Sequence, residues 1–275
     1  MVLRVKKVAP LEWDLGNVPP GIAWGGVDEA GRGAWAGPVV AACAVLDPEV
    51  AARWSHVLRS ARDSKKLSPG KREAIAAELK MVLTSWAAAE IDNIAIDREN
   101  ILQATLEAMR QSVSKVAVRP RILFVDGDRA PRTGLPERLL VEGDDTSCAV
   151  AAASILAKTH RDALMRELDH IVPGYGFASH KGYGTAEHQR ALKQLGTSAF
   201  HRLSYAPVAA SQRVDEALVE GLTKRLDECV SVVQLQSWVE TALRPAYGRL
   251  KLGWIEELRR KYGDMLARLA SEGGM

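Results

Sequence analysis

Four acidic residues stand at the ends of apolar, strand-like runs. Asp28 and Glu29 follow IAWGGV, Asp126 follows ILFV, and Asp144 follows LLVEG. Carboxylates that converge repel one another and raise each other's pKa unless a cation neutralises them. Because oxygen ligands suit hard divalent cations, the pattern indicates a site for Mg²⁺ or Mn²⁺. Two such ions can stabilise the attacking and leaving oxygens of an in-line phosphoryl displacement.

A single acid at such a position more often marks a turn or a helix cap than a metal site. Asp144 and its neighbour Asp145 precede a helix-like segment, where caps are common. An adjacent pair of acids within DEAGRG, together with two further acids at strand ends, favours the metal site over caps and turns.

The glycines beside the first acids resemble a second kind of site. Gly31, Gly33 and Ala36 satisfy the GxGxxA pattern of dinucleotide-binding turns. That motif needs a helix after the glycines, whereas GPVV begins a strand here, and the preceding carboxylates would repel a pyrophosphate. We therefore interpret the turn as backbone that a ligand can approach closely, with Arg32 available for a phosphate.

The acids require a sheet that brings the ends of separate strands together. Apolar runs predict strands from Ile22, over Val39–Leu46, over Trp86–Ile91, and within RILFVD and ERLLV. Helical patterns cover Leu67–Leu83, with Ser68 as N-cap and Pro69 at the first position, then 97–115, and about Thr146 to His170. Residues 1–22 indicate an arm or edge segment. Alternating strands and helices predict a layered α/β domain over residues 1–210.

A purely helical texture follows, and we predict a helical C-terminal region over residues 211–275. Its apolar stripes are Leu218, Leu222, Leu226 and Val230, and then Leu250, Trp254, Leu258, Tyr262, Met265 and Leu269. The second stripe lies among the cations Arg249, Lys251, Arg259, Arg260, Lys261 and Arg268. These cations fit either the solvated face of a docked helix or a track for a nucleic-acid backbone.

Composition excludes several classes of protein. Of 275 residues, 47% are hydrophobic, which is too many for a disordered chain, and 37 Lys+Arg against 34 Asp+Glu leave a net charge of only +3. No apolar run approaches the roughly 18 residues of a membrane span, and the N-terminus lacks a signal-peptide core. Cys43, Cys148 and Cys229 form no CxxC pair, which indicates a reducing compartment. We expect a cytoplasmic monomer with no membrane association.

Several motifs occur together in one order. DEAGRGAWAGPVV, DSKKLS, ENILQAT, VDGD, EGDDTSCAVAAASILAKTHRD, HKGYGT and HRLSYAPV follow one another. This arrangement, over about residues 22–208, resembles bacterial type II ribonuclease H. The resemblance implies a ribonuclease H-like fold, with a central mixed five-stranded sheet flanked by helices. It also implies an endonuclease that cuts RNA in RNA–DNA hybrids and 5′ of ribonucleotides embedded in duplex DNA, by two-metal-ion catalysis that leaves 3′-hydroxyl and 5′-phosphate ends.

The resemblance assigns roles residue by residue. Asp28, Glu29, Asp126 and Asp144 match the metal-binding acids, with Asp145 as the alternative for the fourth. The substrate-binding positions are Gly31, Arg32 and Gly33 at the ribose 2′-hydroxyl, Tyr183 on the neighbouring sugar, and Ser64, Lys65, Ser154, Lys158 and Lys181 at backbone phosphates. The sequence departs from the family in having Ala34-Trp35 where Pro-Leu is usual, and Arg62 before Asp63 where Asn is common.

Other basic residues have competing interpretations. Lys158 and Arg161 share a helix face that alone is typical of solvated surface; beside the acids we interpret both as phosphate contacts. His180, His188 and His201 lack HxH or HExxH spacing, which favours structural or phosphate-facing roles over metal binding.

Two alternatives from other functional classes stay open. A DNA-directed nuclease or integrase-like protein of the same superfamily would share the acids without needing both the Gly-Arg-Gly turn and Tyr183. A nucleic-acid-binding module that has lost catalysis would use the cations alone, although the presence of all four acids argues against it.

Overall fold

The computed structural model describes residues 9–61, 68–211 and 216–272. Five strands and fifteen α-helices lie within these ranges. The strands are β1 (Trp24–Ala30), β2 (Val39–Leu46), β3 (Ser85–Ile91), β4 (Ile122–Asp126) and β5 (Glu137–Leu140). The helices up to the alanine-rich segment are α1 (Pro10–Asn17), α2 (Pro48–Arg53), α3 (Ser55–Ser60), α4 (Pro69–Val82), α5 (Asn93–Glu99), α6 (Ile101–Ser114), α7 (Gly143–Thr146) and α8 (Cys148–Ile171).

The later helices are α9 (Phe177–His180), α10 (Ala186–Leu195), α11 (Ala206–Ala209), α12 (Glu216–Asp227), α13 (Val232–Trp238), α14 (Arg244–Ala246) and α15 (Leu252–Glu272). A π-helical turn (Val239–Leu243) and a 3₁₀ turn (Tyr247–Arg249) flank α14. No helix in the described part of the chain combines the length and the apolar character needed to cross a membrane.

The sheet has the strand order β3-β2-β1-β4-β5. Pairing is antiparallel between β1 and β2 and between β2 and β3, and parallel between β1 and β4 and between β4 and β5. This mixed five-stranded sheet with flanking helices confirms the predicted fold class. All eight residues of β2 are buried, as its uninterrupted run of Val and Ala predicts for a strand covered on both faces.

The central strand β1 and the helix α8 approach each other closely. A Cβ at Gly26 would lie 2.1 Å from the backbone carbon of Ala149, so only glycine fits there. The small residues of α8 are almost entirely buried and join the core of this layer. The contact sets how near the α8 side chains come to the end of β1.

The N-terminal segment differs from the predicted arm, because residues 10–17 form the helix α1. Pro10 suits the first helical turn, where no backbone N–H is required. Asp14 is fully buried, and its Oδ2 accepts hydrogen bonds from Trp24 Nε1 at 3.2 Å and from the backbone N of Ala149 at 3.0 Å. Tertiary burial therefore stabilises a helix too short to form by itself.

The predicted helix over 97–115 is two helices, α5 and α6. The helix is interrupted at Asn100, whose φ of 72° is incompatible with a continuous helix. The Asn100 Oδ1 then accepts from the backbone N of Leu102 and of Gln103, which caps α6. At α4 the predicted N-cap position Ser68 and the first-turn Pro69 are confirmed, although the Ser68 side chain makes no capping hydrogen bond.

The chain divides into two compact units. The first comprises residues 1–32 and 38–164, and the second comprises residues 33–37 and 165–275. The second unit has a core of Ala36, Met165, Tyr175, Phe177, Ala191 and Leu192. Within it the described part of the predicted C-terminal region, residues 216–272, is mainly helical. The boundary near residue 210 stays a prediction.

The apolar stripes of the C-terminal helices are only partly buried. Leu222, Leu226, Leu250 and Leu258 lie in the core, whereas Val230 is 74% exposed. The Trp238 ring stacks 6.5 Å from Tyr262, which joins α13 to α15. Val230 departs from its predicted stripe because α12 ends at Asp227.

Candidate active site

Three of the predicted acids converge at one end of the sheet. Because β1 and β4 are parallel neighbours, with Val27 beside Val125, the residues that follow these two valines lie side by side. Ligand oxygens of Asp28, Glu29 and Asp126 all lie within 4.8 Å of one another. Strand pairing therefore assembles acids that are about a hundred residues apart in sequence.

Asp28 has the most unfavourable environment of the three. It is 6% exposed, and burial together with the charges of Glu29 and Asp126 raises its carboxyl pKa well above the ordinary value. Hydrogen bonds from the Ser154 side chain and from the Glu29 backbone N, 2.7 Å from Asp28 Oδ1, oppose this shift only in part.

The donor set fits a divalent cation. Convergent carboxylates offer several anionic oxygens, which Mg²⁺ and Mn²⁺ prefer over nitrogen or sulfur ligands. A bound cation would also relieve the repulsion that raises the pKa of Asp28. The residues present are therefore suited to a metal-dependent reaction.

Asp144 lies next to this group without belonging to it. The backbone N of Gly143 donates to Asp126 Oδ1 at 2.7 Å, which ties the start of α7 to the third acid. Asp144 is buried and Asp145 is half-buried. The assignment of Asp144 as a fourth metal ligand stays a prediction.

The Gly-Arg-Gly turn follows β1 directly. Gly31 has a φ of +91°, and a Cβ there would lie 1.9 Å from Arg161 Nε. Arg161 is fully buried and donates from Nε to the Pro38 carbonyl at 2.9 Å. It therefore supports the turn from beneath, and its predicted role as a phosphate contact is wrong because its side chain is not accessible.

The two other residues of the turn are open to solvent. The Arg32 side chain is 51% exposed, with Nη1 3.8 Å from Glu29 Oε1. A Cβ at Gly33 would meet nothing within 4 Å. Both positions are accessible to a ligand, and their roles at the ribose stay predictions.

The α8 residues predicted at phosphates have different surroundings. Ser154 is buried and hydrogen-bonded to Asp28, so it acts on the acidic cluster. Lys158 is 30% exposed, and its Nζ lies 2.7 Å from Asp162 Oδ1. Asp162 also pairs with Arg72 at 3.6 Å, which leaves Lys158 held by a carboxylate that a phosphate would have to replace or share.

The remaining predicted substrate contacts lie in two different parts of the chain. Ser64 and Lys65 lie outside the described residues. Lys181 and Tyr183 belong to the second unit, where Lys181 has a φ of 54° and hydrogen-bonds through Nζ to the Ala178 carbonyl. The Tyr183 backbone N donates to the His180 carbonyl at 3.0 Å. Their substrate roles stay predictions.

The histidines are structural rather than exposed. His188 and His201 are fully buried and His180 is 8% exposed, which excludes direct phosphate contacts. Among the described residues the acids alone form a group of three or more potential metal ligands. Sequence reasoning missed the buried roles of Arg161 and Asp14. The available sequence signals are Gly31, which lies against Arg161, and Trp24, which hydrogen-bonds to Asp14. Neither residue identifies its partner from the sequence alone.

Comparisons with known proteins cover the same part of the chain. The family model described as ribonuclease HII matches residues 25–208. Ribonuclease HII of Thiobacillus denitrificans is 50% identical over 183 residues, which cover 66% of this chain and 87% of that protein. Ribonuclease HII of Caulobacter vibrioides is 47% identical over 188 residues, or 68% of this chain and 85% of that protein. The crystal structure of ribonuclease H2 from Pyrococcus horikoshii is similar with a TM-score of 0.59 and 25% identity, covering 69% of this chain and 97% of that one.

Proposed function

The chain belongs to the ribonuclease HII family, whose members are metal-dependent endonucleases acting on RNA in RNA–DNA hybrids, and we propose that it also cuts 5′ of single ribonucleotides embedded in duplex DNA. The observation that carries the metal-dependent cleavage is the convergence of Asp28, Glu29 and Asp126 within 4.8 Å at the end of β1 and β4. Converging carboxylates repel one another and destabilise the folded protein. Such clusters are typical of functional sites, where bound cations neutralise the charge.

We assign metal binding to Asp28, Glu29, Asp126 and Asp144. Two divalent cations held there would stabilise the charge on the attacking and leaving oxygens of an in-line displacement at phosphorus. Ser154 orients Asp28 through its hydrogen bond, and Gly143 orients Asp126 in the same way. Mn²⁺ and Mg²⁺ both suit these oxygen ligands.

The reaction consumes one water molecule for each bond broken. An oxygen of water forms a new bond to the phosphorus on the 5′ side of the ribonucleotide, and the bond to the 3′-oxygen of the preceding nucleotide breaks. That oxygen takes up a proton, so the products carry a 3′-hydroxyl and a 5′-phosphate.

Selectivity for RNA depends on groups that approach the 2′-hydroxyl. We assign this role to the Gly31-Arg32-Gly33 turn, with Tyr183 packing on the adjacent sugar. The fixed backbone of Gly31 over buried Arg161 and the exposure of Arg32 support the assignment. A turn that does not rearrange on binding positions its donors and acceptors at low entropic cost.

Cleavage of three labelled duplexes tests the proposal. Purified protein is incubated with Mn²⁺, with Mg²⁺ or with EDTA and a DNA duplex carrying one ribonucleotide, an all-DNA duplex or an RNA–DNA hybrid. We expect metal-dependent cutting of the first and third, and a polymerase should extend the product through its 3′-hydroxyl. Cutting of all-DNA duplex would instead indicate a DNA-directed nuclease, and binding without cutting would indicate a binding module.

A further inference from the structure

Three buried histidines pack together within the second unit, and one of them, His180, is the first residue of the HKGYGT segment. His201 and His188 are fully buried and their Nε2 atoms are 3.0 Å apart. At one end His201 Nδ1 is 2.9 Å from the Ser198 backbone N. At the other end His188 Nδ1 is 3.0 Å from the Tyr183 carbonyl oxygen. These contacts form a continuous hydrogen-bond chain from Ser198 through His201 and His188 to Tyr183.

One protonation pattern satisfies every contact in this chain. The Ser198 N–H donates to His201 Nδ1, so a neutral His201 carries its proton on Nε2. That Nε2–H donates to His188 Nε2, and His188 must then carry its proton on Nδ1. The Nδ1–H of His188 donates to the Tyr183 carbonyl. Each imidazole is thereby fixed as one neutral tautomer.

The hydrogen-bond chain ends on Tyr183, whose backbone carbonyl and backbone N–H, in two adjacent peptide groups, are both hydrogen-bonded. The Tyr183 carbonyl accepts from His188 Nδ1 and also from the Thr185 backbone N at 2.8 Å. Its own N–H donates to the His180 carbonyl at 3.0 Å. With two donors on the oxygen and one acceptor for the nitrogen, the Tyr183 backbone cannot rotate without breaking a hydrogen bond.

Aromatic packing holds the His188 ring in the required orientation. His180 stacks on it with centroids 4.5 Å apart and planes 13° apart, and Phe177 meets it edge-on at 5.6 Å. His180 is itself fixed, because its Nε2 lies 2.7 Å from the Tyr175 carbonyl and its Nδ1 accepts from the Gly182 N–H.

Burial keeps these rings neutral near physiological pH. It lowers the pKa of His188 to about 4 and that of His201 to about 3. His180 adds to both shifts, and Glu187 opposes the shift of His188. Tyr175 also packs on His201, at 4.9 Å. A second proton on His188, at Nε2, would face the His201 Nε2–H at 3.0 Å, and a second proton on His201, at Nδ1, would face the Ser198 N–H at 2.9 Å.

We propose that His188, held by His201, is a positioning residue that fixes the Tyr183 backbone and thereby sets the rate of cleavage at an embedded ribonucleotide. The inference rests on the proposed role of Tyr183 at the sugar. It assigns no contact between either histidine and the substrate, since both are buried.

Two substitutions at position 188 separate the donor from the ring. In His188→Asn the side-chain amide lies where Nδ1 was and can still donate to the Tyr183 carbonyl, whereas in His188→Gln it lies where Nε2 was and cannot. We expect His188→Asn to cleave a single-ribonucleotide duplex within a few-fold of wild type. His188→Gln should be slower, approaching the roughly hundredfold that an ångström of misplacement can cost. Duplex affinity should be unchanged in both, as in the control His170→Gln at an exposed histidine of the same unit.

A double-mutant cycle with Tyr183→Ala distinguishes the possible failures. If His188 acts through Tyr183, His188→Gln should slow the wild-type protein but not the Tyr183→Ala protein. A Tyr183→Ala protein that cleaves like wild type would refute the proposed role of Tyr183. An equal slowing by His188→Gln in both backgrounds would overturn the positioning inference while leaving that role intact. Equal rates for the Asn and Gln variants, after correction for the folded fraction, would also overturn it.

Nuclear magnetic resonance of the ¹⁵N-labelled wild-type protein gives a test that does not depend on variant folding. Long-range ¹H–¹⁵N spectra at pH 7 should show His188 protonated at Nδ1 and His201 at Nε2. Protonation of His188 at Nε2, or at both nitrogens, would contradict the hydrogen-bond chain.

Discussion

At the scale of single residues, the acidic cluster that we propose as the metal site lowers the stability of the folded protein. The carboxylate of Asp28 is buried beside two others, and its raised pKa shows that the charged form is disfavoured in the metal-free fold. A cation converts the same repulsion into binding energy. If Asp28 binds a catalytic cation as proposed, a residue needed for the reaction also destabilises the protein when no metal is present.

The first prediction concerns Asp28→Asn and Asp126→Asn. Each should lower the cleavage rate more than about a hundredfold, because the variant lacks an anionic ligand at the reacting phosphate. Binding of an RNA–DNA hybrid should persist. Without metal, Asp28→Asn should unfold at a higher temperature than wild type, since an uncharged amide removes the repulsion. Asp128→Asn, at a side chain that is 73% exposed, serves as the control. Cleavage by both variants at a large fraction of the wild-type rate would refute the metal assignment.

The second prediction compares two glycines of one turn. Gly31→Ala places a Cβ against Arg161 at a φ of +91°, so it should destabilise the fold by more than about 1 kcal/mol. Gly33→Ala meets open space and should leave the unfolding temperature nearly unchanged. If Gly33 admits the ribose, its alanine variant should nevertheless slow cleavage at a ribonucleotide. Chemical denaturation and single-turnover rates measure the two effects separately, and normal cleavage by Gly33→Ala would remove Gly33 from the substrate site.

At the scale of elements, the α1 helix and the α8 helix are connected through one carboxylate. Asp14 accepts from the first turn of α8 and from Trp24 on β1. Although these donors favour the charged form, burial dominates and raises the pKa of Asp14 to about 6. The fully buried group therefore links three elements and ionises reluctantly.

The third prediction is the pH dependence caused by Asp14. The folded-state pKa lies above the unfolded value of 3.8, so the protonated carboxyl contributes stability that is lost as pH rises from about 4 to about 6. In Asp14→Asn this loss is absent. The free energy of unfolding of the variant, relative to wild type, should therefore increase over that interval by at most about 3 kcal/mol.

Denaturant titrations at pH 4, 5, 6 and 7 check this. Both proteins share an opposite trend, because the lowered pKa values of His188 and His201 make the free energy of unfolding decrease as the pH falls below 6.5. Subtracting the wild-type free energy from that of the variant cancels this trend. A variant-minus-wild-type difference that is flat with pH would contradict the buried carboxyl as its source.

At the scale of the whole molecule, the net charge of +3 is too small to attract a polyanion without local clustering. The C-terminal helix α15 offers three consecutive cations, but their acidic neighbours one turn away reduce the local charge. Arg260 lies 3.5 Å from Asp264 and Lys261 lies 4.0 Å from Glu257. Exposed pairs of this kind are weak, so a phosphate can compete for the cations.

The fourth prediction reverses Arg259, Arg260 and Lys261 to Glu, which changes the formal charge from +3 to −3. If the helix binds the nucleic-acid backbone, affinity should fall for hybrid and plain duplex alike. The slope of log affinity against log salt should flatten by about 0.9 for each phosphate that the variant no longer neutralises. Selectivity for ribonucleotides should be unchanged, because phosphate contacts do not read the sugar.

The control reverses three exposed cations of the first unit, Lys71, Lys115 and Arg121, which alters the net charge equally. Equal weakening in both variants would mean that net charge alone acts. A folded α15 variant with wild-type affinity and salt slope would leave that helix a purely structural role.

Features that depend on neighbours along the chain could be predicted from the sequence. The bounds of β2 match the prediction because Val39–Leu46 is an unbroken apolar run between prolines. The start of α4 follows from Ser68-Pro69, and the acids were found because each ends an apolar strand. Local periodicity and a proline at the first helical position are visible in the sequence without any knowledge of tertiary contacts.

Features that depend on residues far apart in sequence became apparent only in the folded protein. Arg161 has the pattern of a solvated cation, yet Gly31 and the Pro38 carbonyl, 123 residues away, enclose it. The sequence places Asp14 in a predicted arm, whereas its carboxylate accepts a hydrogen bond from the backbone N of Ala149, 135 residues away, and lies in the core. The histidine chain depends in the same way on ring orientations and tautomers that no spacing specifies. Desolvation and hydrogen-bond geometry decide these roles, and both are set by which distant segments pack together.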